Sequence, residues 1–516
     1  MQDVFTSPNK KVFEMDQKYM KKIQCFVSKH NKISDIDDRV YGSFIEHMGR
    51  AVYTGIYDPD HQSSDEQGFR TDVIDAINDL NVPVVRYPGG NFVSGYDWKD
   101  GIGPKVERPT RLDYAWFSIE TNQFGINEFA DWAKKAGTQG MIAVNLGTGT
   151  PQEAGYLAEY CNLQKGTYWS DKRISHGYEQ PHNFKVWCLG NEMDGPWQTC
   201  AMTADEYAKK ARETAKILKW VDPDIELVAC GSSSKEMATF PEWDRTVLEI
   251  CYNEVDFISL HRYYEYEGDK QSFLAAYHDL DDFIGTIKAT ADYVKAQQRS
   301  DKVMMLSLDE WNVWYIKHMD QKRWQWAPPI AEDVYSLMDA LVVGGLLTTI
   351  VNNADRVKMA CLAQLVNALA PIHTDANGGV LKHATYYPFQ QVSNYGRGAV
   401  YKNTVDCDAI QTEKYGKVAE VATLTTFDEA AGELAFFALN INLDEDIDCH
   451  LNISEFGELT MIDRQVMQGA DLFAVNSFAE PSNVVPKAET VTEGKATQFQ
   501  VTLPKATWTM FRFRVQ

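Results

Sequence analysis

The sequence contains no unbroken run of about 18 apolar residues, so no membrane-spanning helix is predicted. Its first residues, MQDVFTSPNKKVFEMDQKYMKK, are polar and lack the apolar core of a secretory signal peptide. Together these two absences predict a cytoplasmic protein that has no membrane as a partner.

Positive charge is also scarce in this chain. Its 516 residues include 50 Lys and Arg against 73 Asp and Glu, which gives a formal net charge of −23. Nucleic acid and anionic membrane surfaces repel such a chain, so neither is expected as a partner. We interpret the acidity as a contribution to solubility. The length predicts two or three domains, with enough apolar residues for a sizeable core.

The motifs of thiol, metal and nucleotide chemistry are missing as well. The nine cysteines form no CxxC pair, and Cys188, Cys230 and Cys361 lie in apolar runs, which indicates buried, reduced thiols. The sequence has no HExxH motif, no Cys/His ligand cluster and no calcium-loop spacing. The glycine-rich segment GTGTPQEAG (147–155) lacks both GxGxxG and the P-loop lysine. We therefore expect neither a metal nor a cofactor.

Eight short apolar or β-branched runs recur along the first two thirds of the chain. Most are almost continuously apolar rather than alternating, which is typical of a parallel sheet that is buried on both faces. The runs are RVYGSF (39–44), VPVVRYPGG (82–90), MIAVNLG (141–147), FKVWCLG (184–190), ELVACGS (226–232), VDFISLHRYY (255–264), VMMLSLDEW (303–311) and VKMACLAQL (357–365).

Stretches with helical periodicity separate these runs. One of them, TADEYAKKARETAKILKWV (203–221), opens with Thr203 followed three residues later by Glu206, which is a capping-box pattern. Eight strand–helix repeats predict a (β/α)8 TIM barrel; the alternative is a doubly wound sheet, which more often has fewer strands and a glycine-rich first turn. The other predicted helices are FRTDVIDAINDL (69–80), INEFADWAKKAG (126–137), FIGTIKATADYVKAQQ (283–298) and AEDVYSLMDALVVGGLL (331–347).

Beyond about residue 385 the pattern changes to alternating apolar and polar residues, as in ELAFFALNI and TWTMFRFRV. No long helix is expected there, and the alternation predicts an antiparallel, jelly-roll-like β-sandwich over residues 386–516. The early segment 18–38 also alternates and is expected to add a strand to this sandwich. Residues 1–17 are expected to form an extension, and residues 39–385 the barrel.

In a (β/α)8 barrel the active site lies at the carboxyl ends of the strands. The polar side chains that follow the predicted strands are acids, amides and aromatics, with no lysine among them. Such groups suit a ligand rich in hydroxyls, such as a sugar. They are Glu46, Arg86, Asn91, Asn145, Asn191, Glu192, His261, Tyr263, Glu310 and Gln364.

Glu192 and Glu310 each follow directly from an apolar run, and tryptophans come after both, at Trp197 and Trp314. Two carboxyl groups at one end of a barrel are what a glycoside hydrolase uses for catalysis. One is kept protonated to donate a proton to the leaving oxygen, and the other is ionised to attack the anomeric carbon. Asn191 is placed to bind the sugar 2-hydroxyl. The alternative is that each glutamate only pairs with an arginine or caps a helix.

Three neighbouring acids are weaker candidates. Asp309 is expected to point to the opposite strand face from Glu310 and to be structural, because side chains alternate along a strand. Asp194 is expected to cap the following helix. Glu46 remains open between a hydroxyl-binding role and a structural one.

Several long motifs resemble those of a known family, the α-L-arabinofuranosidases of glycoside hydrolase family 51. The resemblance runs from about residue 20 to the end of the sequence and covers both the barrel and the sandwich. The motifs are FIEHMGRAVYTGIYDP (44–59), RYPGGNFVSGYDWKDGIGP (86–104), LGNEMDGPW (189–197), SLHRYY (259–264), LDEWNVWY (308–315) and ADRVKMACLAQLVN (354–367).

The resemblance implies an exo-acting, retaining hydrolase that removes terminal α-L-arabinofuranosyl groups by double displacement, with Glu192 as general acid/base and Glu310 as nucleophile. It implies that the furanose ring is held by Glu46, Asn91, Asn191, Tyr263 and Gln364. The residues that shape or support the pocket would be Arg86, His261, Trp116, Trp197 and Trp314. Family members are typically intracellular hexamers, which implies a homo-oligomer here.

Two alternatives remain open. One is a related furanosidase, β-xylosidase or endoglucanase activity on the same scaffold; the other is a catalytically silent carbohydrate-binding protein. The sequence does not determine the preferred polysaccharide, arabinan or arabinoxylan, nor the linkage or the pH optimum. Segments 147–155, 261–270 and 322–329 depart in detail from the family pattern, and these departures concern the subsites rather than the two glutamates.

Overall fold

The computed structural model describes residues 20–318, 322–491 and 494–515. The predicted N-terminal extension, residues 1–17, lies outside these ranges. None of the helices within them is both long enough and apolar enough to cross a membrane. All nine cysteines are unpaired thiols, and most of them are buried.

Eight parallel strands close into a barrel, as the apolar runs predicted. Residues alternate between the two faces of each strand: Met141 and Ala143 pack inside the barrel, whereas Ile142 and Val144 pack outward against the helices. Because both faces are buried, each run is apolar throughout. In chain order the strands are Gly42–Phe44, Val84–Tyr87, Gln139–Val144, Val186–Leu189, Glu226–Ala229, Phe257–Tyr264, Met305–Val313 and Val357–Ala363.

The five predicted helices are present, with two shifted starts. The helix expected from residue 331 begins at Leu337, where Ser336 caps it, and the helix expected from residue 283 already begins at Ala276. Three long helices were missed by the pattern, namely Pro151–Asn162, Glu242–Cys251 and Tyr386–Tyr395. The α-helices are Thr71–Leu80, Ile126–Lys135, Pro151–Asn162, Tyr168–Ser175, Ala204–Val221, Glu242–Cys251, Lys270–Leu274, Ala276–Gln298, Leu337–Asn352 and Tyr386–Tyr395. The 3-10 helices are Asp38–Tyr41, Asn91–Gly95, Trp98–Gly101, Lys105–Glu107, Ile316–His318 and Ser454–Phe456.

The helix Tyr386–Tyr395 corrects the expectation that no long helix follows residue 385. It comes after the eighth barrel strand, and its Tyr386 hydroxyl donates to the carbonyl of Ala76 on the first barrel helix, at 2.7 Å. It therefore completes the eighth strand–helix unit. Its N-cap, Thr385, makes no side-chain cap hydrogen bond, and the third residue of the helix is Pro388 rather than Glu or Gln, so the sequence has no capping box there.

The strands of the C-terminal region form one hydrogen-bonded sheet of ten strands, which includes the early strand Lys21–Asp35. That strand pairs antiparallel with Ala399–Asp406 and parallel with Ile447–Asn452. The other members are Val421–Asp428, Glu433–Asn440, Leu459–Met467, Lys487–Ala488, Lys495–Ala496, Gln498–Leu503 and Thr507–Val515. Smaller sheets are formed by Arg111–Asp113, Ser118–Glu120 and Gln325–Trp326; by Ile372–Thr374 and Val380–Lys382; and by Ala409–Thr412 and Gly416–Ala419.

Strand Glu433–Asn440 joins the two parts of the molecule. Its residues Leu434 and Phe436 pack into the interior of the sandwich, whereas Phe437 and Leu439 belong to the core that surrounds the barrel. The sandwich therefore rests on the barrel helices through a continuous apolar contact. Because the sandwich packs against the outside of the barrel, this contact does not cover the carboxyl ends of the barrel strands.

Candidate active site

Glu192 lies at the carboxyl end of the fourth barrel strand, in a turn with left-handed backbone at Gly190 (φ +90°) and Glu192 (φ +43°). The turn directs the Glu192 side chain back over the barrel. Its Oε2 accepts a hydrogen bond from Trp197 Nε1 at 2.6 Å, and its Oε1 lies 2.8 Å from His261 Nδ1. Glu192 is only 8% exposed, whereas Trp197 is 52% exposed. Oε2 therefore occupies the solvent side of this carboxyl group and Oε1 the buried side.

Glu310 lies on the seventh strand and points into the mouth of the barrel. Arg86 Nη1 donates to its Oε1 at 2.6 Å, and the Tyr263 hydroxyl donates to its Oε2 at 2.8 Å. Arg86 also donates through Nη2 to Asn191 Oδ1 at 2.7 Å. One guanidinium group thus orients the residue before Glu192 and supplies positive charge beside Glu310.

The two carboxyl groups face each other across a short gap. One side-chain oxygen of Glu192, one ring nitrogen of His261 and one side-chain oxygen of Glu310 lie within 4.8 Å of one another. Burial raises the pKa of Glu192, and the negative charge of Glu310 raises it further, against the lowering effect of the His261 and Trp197 hydrogen bonds. The site therefore holds one carboxyl group whose pKa is raised and another that has a cation and a phenol as partners.

His261 links Glu192 to a further acid. Its Nε2 lies 2.8 Å from Asp309 Oδ1, on the side opposite to Glu192. Burial alone would lower the pKa of His261, but Glu310, Asp309 and Glu192 together raise it well above its usual value. Because both ring nitrogens are engaged by carboxylates, His261 offers no lone pair to a metal ion, and we assign no metal site here.

The position of Asp309 contradicts the expectation from strand alternation. Instead of pointing away from Glu310, Asp309 is 1% exposed inside the barrel, where its Oδ2 lies 3.7 Å from Arg86 Nε and its Oδ1 contacts His261. Both consecutive acids therefore face the same side of the strand.

The physical reason is a β-bulge in the seventh strand. Ser307 pairs with Ser259 on the sixth strand, but Glu310 pairs with His261, so the seventh strand contains one extra residue in this interval. A bulge changes which face the following side chains occupy. The extra residue is what allows Asp309 and Glu310 to share the interior.

Glu46 lies beside Glu310 after the first strand. Its Oε1 accepts hydrogen bonds from the backbone N–H of Phe92 at 2.8 Å and from Trp116 Nε1 at 2.9 Å. Gln364 Oε1 accepts from the backbone N–H of Glu46 at 2.9 Å. Burial, followed by the nearby charge of Glu310, raises the pKa of Glu46 to about 8. Near neutral pH this carboxyl is therefore largely protonated and able to donate a hydrogen bond.

The remaining predicted residues border the same space. Asn191 Nδ2 donates to Asn91 Oδ1 at 3.3 Å. The rings of Tyr263 and Trp314 meet edge to face, with centroids 5.1 Å apart. Hydrogen bonds, the ion pair between His261 and Glu310, and the apolar cluster that Trp116 shares with Tyr263 and Trp314 connect the twelve residues expected in the site. They are Glu46, Arg86, Asn91, Trp116, Asn191, Glu192, Trp197, His261, Tyr263, Glu310, Trp314 and Gln364.

Two strand-end residues lie apart from this group. Asn145 donates to the carbonyl of Tyr96 and to Thr148 Oγ1, both at 2.9 Å, and thereby holds its own loop. Asp194 accepts from the backbone N–H and the hydroxyl of Ser233, both at 3.0 Å, rather than capping the next helix.

The search for polar residues at the ends of predicted strands missed two residues of the site. Trp116 lies on a long loop, and only the family resemblance pointed to it. Gly90 was not considered, yet a Cβ atom at this position would lie 3.0 Å from Glu310 Oε1 and 3.2 Å from Glu46 Oε2. The signal available in the sequence was the glycine pair of RYPGGN, directly after the second strand.

Comparison with known proteins gives two family matches. Residues 76–283 match the family model described as the alpha-L-arabinofuranosidase 1 domain, and residues 309–507 match the alpha-L-arabinofuranosidase C-terminal domain. Together they extend over most of the barrel and the sandwich.

Full-length relatives are similar to the chain. It is 49% identical over 501 residues to an intracellular exo-α-(1→5)-L-arabinofuranosidase of Acetivibrio thermocellus, covering 96% of this chain and 99% of the relative. It is 48% identical over 501 residues to an enzyme of Bacillus subtilis with the same description, covering 96% of this chain and 100% of the relative. A solved structure of a family 51 α-L-arabinofuranosidase from Bifidobacterium longum superposes with a TM-score of 0.92 at 38% identity, covering 96% of this chain and 100% of that structure.

Proposed function

We infer the reaction from the premise that this chain belongs to glycoside hydrolase family 51, the α-L-arabinofuranosidases. It is an exo-acting α-L-arabinofuranosidase that hydrolyses terminal, non-reducing α-L-arabinofuranosyl residues. The observation that carries this conclusion is the pair Glu192 and Glu310, which face each other at the carboxyl end of the barrel in unlike surroundings.

In the first step Glu310 acts as the nucleophile. Its carboxylate attacks the anomeric carbon of the arabinofuranosyl group, and the bond from that carbon to the glycosidic oxygen breaks. Glu192 donates its proton to the leaving oxygen, so the aglycone departs as a neutral alcohol. Burial raises the pKa of Glu192, which suits a group that donates a proton in this step.

In the second step Glu192, now a carboxylate, takes a proton from a water molecule. The water oxygen attacks the anomeric carbon, the bond to Glu310 breaks, and L-arabinose leaves with the anomeric configuration of the substrate. Arg86 and Tyr263 hold the departing Glu310 carboxylate through the hydrogen bonds described above.

The separation of the two acids supports retention. Retaining enzymes have carboxyl groups about 5–5.5 Å apart, whereas inverting enzymes leave about 6.5–9.5 Å for a water molecule. Here one oxygen of Glu192 and one oxygen of Glu310 lie within 4.8 Å of each other, and this close approach favours the retaining arrangement.

The sugar-binding roles follow from the same geometry. Glu46, when protonated, donates one hydrogen bond and accepts others, which suits a sugar hydroxyl. Asn91 and Asn191 present amide groups beside it, and Tyr263 and Trp314 present ring faces and edges that suit C–H groups of the ring. A hydroxyl-rich ligand would thereby find polar partners for its hydroxyl groups and apolar partners for its C–H groups.

For the natural substrate we propose α-(1→5)-linked arabino-oligosaccharides, with arabinoxylo-oligosaccharides as the second class. The basis is the description of the two relatives that are almost half identical over nearly the whole chain. Their description as intracellular likewise supports a cytoplasmic location. Assembly as a homo-hexamer rests on the family resemblance, and light scattering coupled to gel filtration measures it directly.

Product analysis tests the function. The enzyme is incubated with arabinobioses of α-(1→5), α-(1→3) and α-(1→2) linkage, linear and branched oligosaccharides, and aryl β-xylosides, and the first-formed arabinose is observed by proton NMR. We expect single arabinose units released as the α-anomer, fastest from the (1→5) linkage. Release of the β-anomer would overturn retention. Preferential cleavage of xylosides, or binding without cleavage, would favour the two alternatives instead.

A further inference from the structure

We propose that Asp309 is a positioning residue for the general acid/base: acting through His261, it sets the orientation and charge of the group that hydrogen-bonds to Glu192. This inference rests on the proposed role of Glu192. Asp309 has no place in the double displacement itself, because His261 and Arg86 separate it from the space between the two glutamates.

The bulge in the seventh strand is the first observation that supports this. A regular strand would place only one of two consecutive acids inside the barrel. The extra residue between Ser307 and Glu310 brings both inside, at the expense of regular pairing with the two neighbouring strands. Bulges near active sites re-aim side chains in this way. The local fold thus places a second, fully buried carboxylate behind His261.

The second observation is a line of three groups. Asp309 Oδ1 lies 2.8 Å from His261 Nε2, and His261 Nδ1 lies 2.8 Å from Glu192 Oε1. An ionised carboxylate only accepts hydrogen bonds, so Asp309 requires the proton to be on Nε2. With Nε2 protonated, a second proton on Nδ1 makes the ring cationic and a donor to Glu192. Without Asp309, a neutral ring is free to carry its single proton on either nitrogen.

All the charged groups that face His261 are consistent with a cationic ring. Glu310 Oε2 lies 3.5 Å from Nδ1, in addition to the contacts with Glu192 and Asp309, and Asp194 is a fourth acid that interacts electrostatically with the ring. The cation Arg86 pairs with Asp309 and Glu310. Together these carboxylates raise the pKa of His261 well above its usual value, although burial opposes them.

The consequence concerns which oxygen of Glu192 carries the proton. The cationic Nδ1–H is the stronger donor and engages Oε1, whereas Oε2 accepts only from the neutral indole of Trp197, so the proton that is transferred to the substrate is held on Oε2. After transfer, the same Nδ1–H stabilises the Glu192 carboxylate until it accepts a proton from water. Asp309 thus acts on the acid/base rather than on the nucleophile.

A different role is conceivable for Asp309, because its Oδ2 also lies 3.7 Å from Arg86 Nε. Through that contact it would act on Glu310, the nucleophile, and would do so for every substrate alike. Leaving groups separate the two roles. A poor leaving group requires proton donation by Glu192, whereas an acidic phenol departs almost without it.

The experiment compares Asp309→Asn, His261→Gln and the double variant. kcat/KM is measured for a linear α-(1→5)-arabino-oligosaccharide and for an aryl arabinofuranoside with an acidic phenol. We expect each single variant to lose about 10- to 100-fold on the oligosaccharide, and much less on the aryl substrate. Because Asp309 acts through His261, the double variant should be no worse than His261→Gln alone.

A purely structural role of Asp309 would not change the pH dependence of kcat/KM, so this dependence is the second measurement. In the wild type the alkaline limb of kcat/KM reports loss of the Glu192 proton. Asp309→Asn should leave His261 neutral and remove the positive charge next to Glu192, so this limb should move to higher pH by about one unit. Glu420→Gln is the control, because Glu420 is a buried carboxylate that pairs with Lys21 in the sandwich, away from the site, and the change should leave the profile unchanged.

Additive losses, equal losses on both substrates, or an alkaline limb that stays in place or moves to lower pH would each overturn the proposal. If Asp309→Asn does not fold, the protonation of His261 is measured directly by ¹⁵N NMR of wild-type protein labelled at histidine. The resonances of His261 are identified as those that disappear in His261→Gln. We expect both ring nitrogens to be protonated at neutral pH, and a single protonated nitrogen would overturn the proposal. The wild type is measured in the same assays. Its failure to release arabinose would contradict the proposed function instead.

Discussion

Glu192 and Glu310 have the same side chain and differ only in their surroundings. Glu192 meets an imidazole, an indole and the charge of the opposite glutamate, and burial raises its pKa. Glu310 meets a guanidinium and a phenol. Their placement at strand ends was predictable, because each ends an apolar run. Which of the two is the acid depends on neighbours that are distant in sequence, such as Arg86 and His261.

Azide distinguishes the two roles at the level of single residues. In Glu192→Ala the turnover of oligosaccharides should fall by about 10²- to 10⁴-fold, since proton transfer is lost. An aryl arabinofuranoside with an acidic phenol still forms the glycosyl-enzyme in this variant, because its leaving group departs almost without proton donation. Azide needs no general base, so it should intercept this intermediate and yield an α-L-arabinofuranosyl azide. In Glu310→Ala, azide should occupy the nucleophile's place and yield the β-azide. The products are identified by NMR, and the reverse pattern would exchange the two assignments.

At the level of elements, strands were easier to predict than helices. Eight strands were identified from burial on both faces, which is visible as apolar runs. The helix Pro151–Asn162 was missed, although Thr150 and Glu153 form a capping box there, because the glycines of 147–155 dominated the pattern. The helix Tyr386–Tyr395 had no such signal, and its contacts with Ala76 and Trp508 show that tertiary packing supports it.

The turn after the second strand contains Gly90, which lies next to Glu46 and Glu310. A Cβ atom at Gly90 would lie 3.0 Å from Glu310 Oε1 and 3.2 Å from Glu46 Oε2, so Gly90→Ala should displace both carboxylates. Displacements of this size near reacting groups cost about 10- to 100-fold in rate. We expect kcat/KM to fall by that factor while the unfolding midpoint changes little.

Gly285→Ala is the matched control for this variant. Gly285 is an exposed glycine inside the helix Ala276–Gln298, and a Cβ atom there meets nothing within 4 Å. This substitution should keep full activity and stabilise the helix by about 1 kcal/mol. Gly90→Ala with wild-type activity would show that the second-strand turn does not constrain the two carboxylates.

At the scale of the whole molecule, the barrel and the sandwich share a core. The strand Glu433–Asn440 is apolar on both faces because one faces the sandwich interior and the other the barrel helices. Gly344 on the helix Leu337–Asn352 lies under the ring of Trp508, where a Cβ atom would come within 2.5 Å. We therefore expect the two parts to unfold together in a single transition.

Buried histidines predict how the stability of the whole molecule depends on pH. Burial lowers the pKa of His383 from 6.5 to about 3, and its ring nitrogens have no hydrogen-bond partner among the described residues. An unfolded chain binds a proton at this histidine below pH 6.5, while the folded protein does not until about pH 3. Stability is therefore lost as the pH falls through this window, by about 2 kcal/mol between about pH 6 and about pH 4 from this group.

His383→Phe tests this, because it keeps a ring of similar shape and removes the titrating group. Urea unfolding at several pH values should show the variant gaining stability relative to wild type by about 2 kcal/mol over the same interval. His30→Gln, at an exposed position, serves as the control and should follow the wild type. Parallel curves for His383→Phe and wild type would contradict the prediction.

The sequence by itself determined the barrel, the sandwich and the positions of Glu192 and Glu310. A strand that is buried on two faces appears as a continuous apolar run, and a strand that is buried on one face appears as an alternating pattern. The end of an apolar run indicates where a strand ends. The long family motifs added the residues that no periodicity marks, such as Trp116.

Only the tertiary structure decided the direction of Asp309, the last barrel helix and the difference between the two glutamates. A bulge shifts the faces of a strand without leaving a periodic mark, so alternation placed Asp309 on the wrong side. The helix Tyr386–Tyr395 depends on contacts with residues far away in sequence. The pKa values of Glu46, Glu192 and His261 depend on burial and on charges from other strands, which exist only once the chain has folded.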